Sequence, residues 1–208
     1  MLGHILVSVA LVSTMAFAEL KEKGPFAGID FQQISADNLY ETSGAAFPFP
    51  RFDNSSDFSN LNVKVGYQYY VTRLYLSLSQ PDEKYDTYAV KSTEYDMNFE
   101  YVPLFYYNSG FAFRGVFGAA IGISDSELYG MSDGVEEQHN ILGFTKNRQQ
   151  RIVYGWQLGL IVEMDLGVSL ELGWRQRFGN LIEFTDGTNK ATIETKRQQY
   201  YLGLNYLF

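Results

Sequence analysis

Apolar and polar residues alternate with a period of two along most of the chain, which is the pattern of β-strands with one apolar face. In LNVKVGYQY, for example, Leu61, Val63 and Val65 alternate with polar or small residues. The alternation predicts eight strands, at residues 27–32, 61–69, 73–79, 94–101, 111–124, 151–164, 168–178 and 199–208. After residue 18 no window holds eighteen consecutive apolar residues, so the pattern excludes membrane-spanning helices.

The connections between these strands alternate between short and long. Tight links are expected near residues 70–72, 108–110 and 165–167, an intermediate link near 80–86, and long polar loops at 35–60, 124–150 and 179–192. Short turns at one end and long loops at the other are typical of outer-membrane barrels. The sequence therefore predicts an all-β fold: an eight-stranded antiparallel up-and-down transmembrane β-barrel with short periplasmic turns and long extracellular loops.

The polar face of the strands carries many charges. An eight-stranded barrel has an interior just wide enough for side chains to fill, so we expect these charges to pair inside the lumen. The expected lumen ion pairs involve Glu171, Arg175, Arg177, Lys64, Arg73, Glu94, Asp96 and Arg114, and Asp30, Glu100, Arg151 and Glu163 lie on the same face. Glu171 and Arg175, on one strand, are expected to serve packing by pairing. The alternative is a secreted, lipocalin-like soluble barrel, whose apolar face would point inward.

The first eighteen residues, MLGHILVSVALVSTMAFA, contain no Asp, Glu, Lys or Arg and end in Ala16-Phe17-Ala18. This stretch predicts a secretory signal peptide, residues 1–18, cleaved after Ala18. A membrane anchor would need about 20 apolar residues, which the stretch does not supply. The mature domain, residues 19–208, is then the barrel, and the expected location is the cell outer membrane.

Composition removes several classes of function. The net charge of -8 argues against a nucleic-acid partner, because phosphate binding needs clustered Lys and Arg. The chain has no Cys and two His, His4 in the predicted signal peptide and His139 in a polar loop near Glu136 and Glu137. General acid–base catalysis in a barrel of this kind needs a positioned His, and His139 is expected to be solvated. We therefore expect no catalytic, cofactor or metal site.

The chain ends in GLNYLF, Gly203 to Phe208, inside an alternating strand. This segment resembles the C-terminal signature of Gram-negative outer-membrane proteins, and the resemblance implies that Gly203, Tyr206 and Phe208 form the signal read by the barrel-assembly machinery. With its ELGWR segment at residues 171–175, the chain resembles small barrels of the OmpA transmembrane domain, OmpX and OmpW-like kind. Pro103 departs from the pattern, because it cannot donate to the ladder, and predicts a bulge or strand end.

Three functions are consistent with this sequence. The first is a structural and surface-interaction barrel whose extracellular loops meet an unknown ligand. The alternatives are a narrow porin-like channel for small solutes and a lipid-modifying enzyme, which the histidine count disfavours. The expected partners are outer-membrane lipid and lipopolysaccharide, together with the assembly machinery during biogenesis.

Overall fold

The computed structural model of the chain describes residues 22–43, 51–85, 88–108, 110–132, 135–137, 148–179, 182–186 and 189–208. The predicted signal peptide and His139 lie outside this part of the chain. The described strands are β1 (Lys23–Ser43), β2 (Arg51–Tyr69), β3 (Thr72–Ser79), β4 (Asp82–Lys84), β5 (Tyr88–Tyr101), β6 (Leu104–Asn108), β7 (Phe111–Ser132), β8 (Val135–Glu137), β9 (Arg148–Met164), β10 (Val168–Gly179), β11 (Ile182–Asp186) and β12 (Asn189–Leu207). Among these residues no helix is long and apolar enough to cross a membrane.

The strands form one antiparallel sheet that closes on itself. Eight of them make the ring, in the order β1, β2, β3, β5, β7, β9, β10 and β12, and β12 pairs back with β1 from Leu207 opposite Phe26 to Lys190 opposite Ser43. The short strands β4, β6, β8 and β11 extend the wall by pairing with β5, β7, β7 and β12. Closure leaves the ring without an edge strand, and the predicted eight-stranded barrel is confirmed.

The three short turns lie together at one end of the barrel, which we call the turn end. They are Tyr70–Val71, the link that contains Gly110 and the turn at residues 165–167, as the sequence predicts. The first and last described residues join them: the amide of Tyr70 donates to the carbonyl of Glu22, and that of Phe208 to the carbonyl of Pro25, each at 2.8 Å. This rim therefore ties the first and last described residues into the wall.

At the opposite end, the loop end, the strands run much further than the sequence predicts. The long loops expected at 35–60, 124–150 and 179–192 are wrong over most of their length, because β1 continues to Ser43, β7 to Ser132, and β12 begins at Asn189. In this outer part the two faces exchange character. On β1 the outward residue Phe31 is followed outside by polar residues, whereas Ile34 and Ala36 are buried inside. A strand whose outer face contacts water has polar residues outside and apolar residues inside. The strand therefore continues beyond the point where its outward residues stop being apolar.

Pro103 interrupts the wall as expected. Strand β5 ends at Tyr101 and β6 begins at Leu104, with a shift of register between Leu104 and Tyr106. Proline has no N–H to donate, but its carbonyl still accepts a bond from the amide of Gly115 at 3.0 Å. The predicted strand end is confirmed, and the bulge keeps the two segments in line against β7.

The outer surface between the two ends is apolar. Large apolar side chains recur at alternate positions along the ring strands after β1 and remain exposed, with Leu172 and Tyr200 each 63% exposed, and Phe31 is exposed on β1. On β7 this surface extends from Phe111 to Ile123, which spans roughly 30 Å for a strand tilted by about 40°. A soluble barrel has the opposite arrangement, so the soluble alternative does not fit. Aromatic side chains are concentrated near the turn end, at Tyr67, Tyr69, Tyr70, Tyr101, Phe105, Tyr106, Tyr107, Tyr206 and Phe208.

Candidate functional site: the charged lumen

The inward faces of the ring strands meet in a lumen lined by charged and polar side chains. All eight residues expected in lumen ion pairs are buried there, each with 5% or less of its surface exposed: Lys64, Arg73, Glu94, Asp96, Arg114, Glu171, Arg175 and Arg177. Asp30, Glu100, Arg151 and Glu163 point into the same space. Along the barrel axis these side chains form three clusters, which we call the turn-end, central and loop-end clusters.

The central cluster is organised around Glu171 of β10. Its carboxylate accepts bonds from Lys64 Nζ at 3.2 Å and Arg73 Nη1 at 3.1 Å, both on the far side of the ring. It also accepts from the hydroxyl of Tyr201 at 2.9 Å and the amide of Asn205 at 3.2 Å. Four donors, from β2, β3 and β12, therefore meet at this one carboxylate.

Arg175 has other partners than the sequence suggests. The expected Glu171–Arg175 pair is wrong: Arg175 Nε donates to Gln157 Oε1 at 2.6 Å, and its Nη2 lies 3.6 Å from Asp30 Oδ2. Its guanidinium also lies over the ring of Tyr201, 4.7 Å from the centroid. Both residues are on the polar face, but Arg175 contacts residues of nearby strands instead: Gln157 lies directly opposite it on β9, and Asp30 lies on β1.

Glu100 links the other half of the central cluster. The hydroxyl of Tyr75 donates to its carboxylate at 2.6 Å, Arg73 Nε lies 3.4 Å from it, and the amide of Gln157 also bonds to it. Lys64 Nζ connects this group to β1 through Asp30 Oδ1 at 2.7 Å. The central cluster therefore crosses the lumen with residues from β1, β2, β3, β5, β9, β10 and β12.

Small residues give these long side chains the space they need. A Cβ atom at Gly118 would lie 2.8 Å from the side chain of Gln157 and 2.9 Å from that of Glu100. At Gly173 it would lie 2.4 Å from the hydroxyl of Tyr201. The glycines on the polar face of the sequence are thus the positions where the cluster packs directly against the wall.

The turn-end cluster closes the lower lumen around Arg114. Its Nε donates to Glu163 Oε2 at 2.7 Å, and its Nη1 donates to the backbone carbonyls of Tyr70 at 3.2 Å and Val102 at 3.4 Å. The amide of Gln68 donates to the second oxygen of Glu163 at 3.2 Å. Arg114 thus ties the charged lumen to the backbone of the turn-end rim.

The loop-end cluster contains three arginines and three carboxylates. Arg177 Nη2 contacts Asp96 Oδ2 at 2.5 Å, and Arg197 bonds to both Glu83 and Glu94. Arg151 Nη1 donates to the hydroxyl of Thr195 at 2.9 Å. This cluster occupies the level at which the outer surface changes from apolar to polar.

Sequence reasoning missed Arg197 and Glu83 as lumen residues. Arg197 lies two residues before Gln199, where the predicted last strand begins, and the same period-two spacing continues back through it. Glu83 lies in β4, within the link expected at 80–86. Gln157 was placed on the polar face, but only the three-dimensional packing shows that it bridges Arg175 and Glu100.

The three residues expected to form the assembly signal lie on the closing strand. Tyr206 and Phe208 point outward with ring centroids 4.9 Å apart in an edge-to-face contact. Gly203 points inward, where a Cβ atom would lie 2.6 Å from Asp30 Oδ1 and 3.3 Å from the Cβ of Glu171. Because Gly203 has no side chain, the carboxylate of Asp30 and the side chain of Glu171 can pack directly against the backbone of the last strand.

Among the described residues, no group of three or more His, Cys, Asp or Glu side chains could hold a metal ion. The described carboxylates of the lumen are instead held by Arg, Lys, Tyr and amide donors. The arrangement is therefore suited to filling and bracing the lumen.

No protein-family model and no curated protein sequence matches the chain significantly. The crystal structure of Neisserial surface protein A is similar, with a TM-score of 0.50, 12% identity, and coverage of 90% of this chain and 100% of that one. The solid-state NMR structure of the outer membrane protein AlkL in DMPC bilayers is also similar, with a TM-score of 0.56, 14% identity and coverage of 92% and 93%. At such identities the likeness shows the fold alone: the chain is a small eight-stranded β-barrel of the outer-membrane type.

Proposed function

We propose that the protein is an integral outer-membrane barrel with a side-chain-filled lumen, and that it has a structural and surface-interaction role through the loops at its loop end. The observation that carries this proposal is the central cluster, which bonds opposite walls directly through Lys64, Arg73 and Glu171. Solutes crossing the lumen would have to break several buried ion pairs at once, which costs several kcal/mol for each charge left unpaired.

The outer surface supports the proposed location. Its exposed apolar band has the height of a bilayer core, and aromatic side chains flank it at the turn end, as in transmembrane barrels. The names of the two similar proteins refer to the surface and to the outer membrane. On this proposal membrane lipid and lipopolysaccharide contact the band, and the assembly machinery reads Gly203, Tyr206 and Phe208. The loops would bind an extracellular ligand of unknown identity.

Export through the predicted signal peptide belongs to the same proposal. Cleavage after Ala18 would leave Glu19 as the first residue of the mature protein. N-terminal sequencing of the protein recovered from outer membranes tests this directly. A protein that retains residues 1–18, or that is found in the inner membrane, would contradict it.

Conductance in planar bilayers tests the filled lumen. The refolded parent protein should give no steady current, because the central cluster blocks the path. The double variant Glu171→Ala with Arg73→Ala removes two of its largest members and should open measurable current. Glu127→Ala, on the outer surface of β7, is the matched control and should remain closed. Steady conductance of the parent would replace this proposal with the narrow-channel function.

We also propose that the protein is not an enzyme. Of its two histidines, His4 belongs to the predicted signal peptide and His139 is expected to be solvated in a polar loop, and the described lumen carboxylates accept bonds from Arg and Tyr donors. Mass spectrometry of lipid A from cells with and without the protein tests this. A change in acylation that depends on the protein would favour the lipid-modifying enzyme instead.

A further inference from the structure

The loop-end cluster places three arginines on one side of the lumen. Arg151, Arg177 and Arg197 belong to β9, β10 and β12, which are adjacent strands of the ring, and each is at least 95% buried. Arg177 and Arg197 lie directly opposite each other across the β10–β12 ladder. Three guanidinium groups on neighbouring strands repel one another, so something of opposite charge must lie between or beside them.

Arg151 reaches back towards the other two arginines. Its Nη1 bonds to Thr195 and lies 2.9 Å from the position of a Cβ atom at Gly179. Thr195 and Gly179 are each two residues beyond Arg197 and Arg177 along their strands, which is about 7 Å. The guanidinium group of Arg151 therefore lies within about two residues of the level of Arg177 and Arg197 at the loop end of the lumen.

The carboxylates that face these arginines do not satisfy all their donors. Asp96 engages Arg177, and Glu83 and Glu94 both engage Arg197. Within these three side chains, four buried nitrogens have no hydrogen-bond partner: Arg151 Nε and Nη2, Arg177 Nη1 and Arg197 Nε. Leaving buried charged donors unmatched is costly, and here the unmatched donors belong to three neighbouring side chains of the same charge.

We infer that Arg151, Arg177 and Arg197 bind a small tetrahedral oxyanion of the phosphate or sulfate class at the loop end of the lumen. Guanidinium groups present paired N–H donors that match the oxygens of such an anion. A tetrahedral oxyanion can accept bonds from several sides, which suits donors spread over about 7 Å. Asp96, Glu83 and Glu94 would hold the remaining donors of Arg177 and Arg197 and limit the site to one anion.

Inorganic phosphate is the probe for a stability test at constant ionic strength, with gluconate as the balancing anion. The urea midpoint of the refolded parent protein should rise with phosphate concentration, because phosphate binds the folded state alone. Arg151→Gln should weaken phosphate binding by about tenfold or more, since it removes a charged bidentate donor. Without phosphate this variant should be no less stable than the parent, because it removes a buried charge that has no carboxylate bond.

Arg148→Gln is the matched control. It makes the same change three residues away on β9, but Arg148 lies on the outer surface with Asp125 and Glu127. Its response to phosphate should equal that of the parent. A parent that does not respond, or an equal loss of response in both variants, would overturn the inference.

A second measurement does not depend on the folding of any variant. Crystals of the parent protein soaked in selenate should show an anomalous peak between Arg151, Arg177 and Arg197. Selenate bound elsewhere, with no peak between these three arginines, would overturn the inference.

Discussion

Replacing Glu171 with glutamine removes one negative charge from the centre of the lumen and leaves the shape of the side chain almost unchanged. The parent carboxylate accepts bonds from Lys64, Arg73, Tyr201 and Asn205. Glutamine retains one acceptor oxygen, but its NH₂ group is a donor, and neither Lys64 nor Arg73 has an acceptor for those hydrogens. The perturbation is therefore electrostatic at a fully buried site.

The expected loss of stability depends on which carboxylates Lys64 and Arg73 still contact in the variant. Removing one partner of a buried ion pair costs about 3–5 kcal/mol when the other charge is left alone. Here Lys64 keeps Asp30 at 2.7 Å, and Arg73 keeps Glu100 at 3.4 Å. We therefore expect Glu171→Gln to lower the free energy of unfolding by about 2–4 kcal/mol.

Urea unfolding in detergent micelles measures this loss. Trp156 and Trp174, whose rings lie 4.6 Å apart on the outer surface, supply the fluorescence signal without a label. Glu127→Gln is the control, because its partner Arg148 is exposed, and it should change stability by less than about 1 kcal/mol. A loss for Glu171→Gln no larger than that of the control would refute the reasoning.

Double variants identify the partner. Adding Lys64→Gln to Glu171→Gln removes one of the cations left behind, so part of the loss should be recovered. Adding Arg175→Gln should recover less, because the structure pairs Arg175 with Gln157 and Asp30 instead. The opposite order would show that the direct Glu171–Arg175 pair expected from the sequence forms in the protein.

Three further results are expected. Because the closed ladder resists detergent, an unboiled sample should migrate differently from a boiled one on a denaturing gel, and identical migration would count against a closed barrel. Deletion of Phe208 should lower the amount of folded protein in the outer membrane while signal cleavage continues, and normal assembly without it would remove its proposed role. Hydrogen bonds from Arg148 lower the pKa of Asp125, so this carboxyl should titrate below about 3.9 by NMR and return towards that value in Arg148→Gln. The stabilisation from that pair is present above the ordinary pKa and is lost as pH falls through the lowered one; equal titration in both proteins would show that the pair does not form.

The inward and outward faces of the ring could be predicted from sequence because they depend only on the strand period. The outward Leu170 and Leu172 and the inward Glu171 and Arg175 follow directly from alternation on β10. Their partners could not be predicted in this way. Which residues meet across the lumen depends on how far neighbouring strands are staggered when the barrel closes, and alternation within one strand holds no information on that stagger.

The extent of the strands was the other part that sequence reasoning missed. It ended a strand where the outward apolar pattern stopped, as at residues 27–32, whose last outward apolar residue is Phe31. Strand pairing needs only backbone partners, and β1 finds them in β2 and β12 as far as its outer end. The exchange of faces at Gln33 and Ile34 is visible in the sequence, but it indicates a change of surroundings and not a change of secondary structure.

The position of that exchange along β1 also determines how far the barrel wall extends beyond the apolar band. From Gln33 to Ser43 the wall of β1 continues for about ten residues, which is roughly 25 Å along the axis for a strand tilted by about 40°. If the apolar band lies in the bilayer, the paired wall of the barrel extends beyond the lipid surface and holds the loops away from it. A bulky partner, such as a protein on a neighbouring cell, could then reach the loop tips without approaching the bilayer.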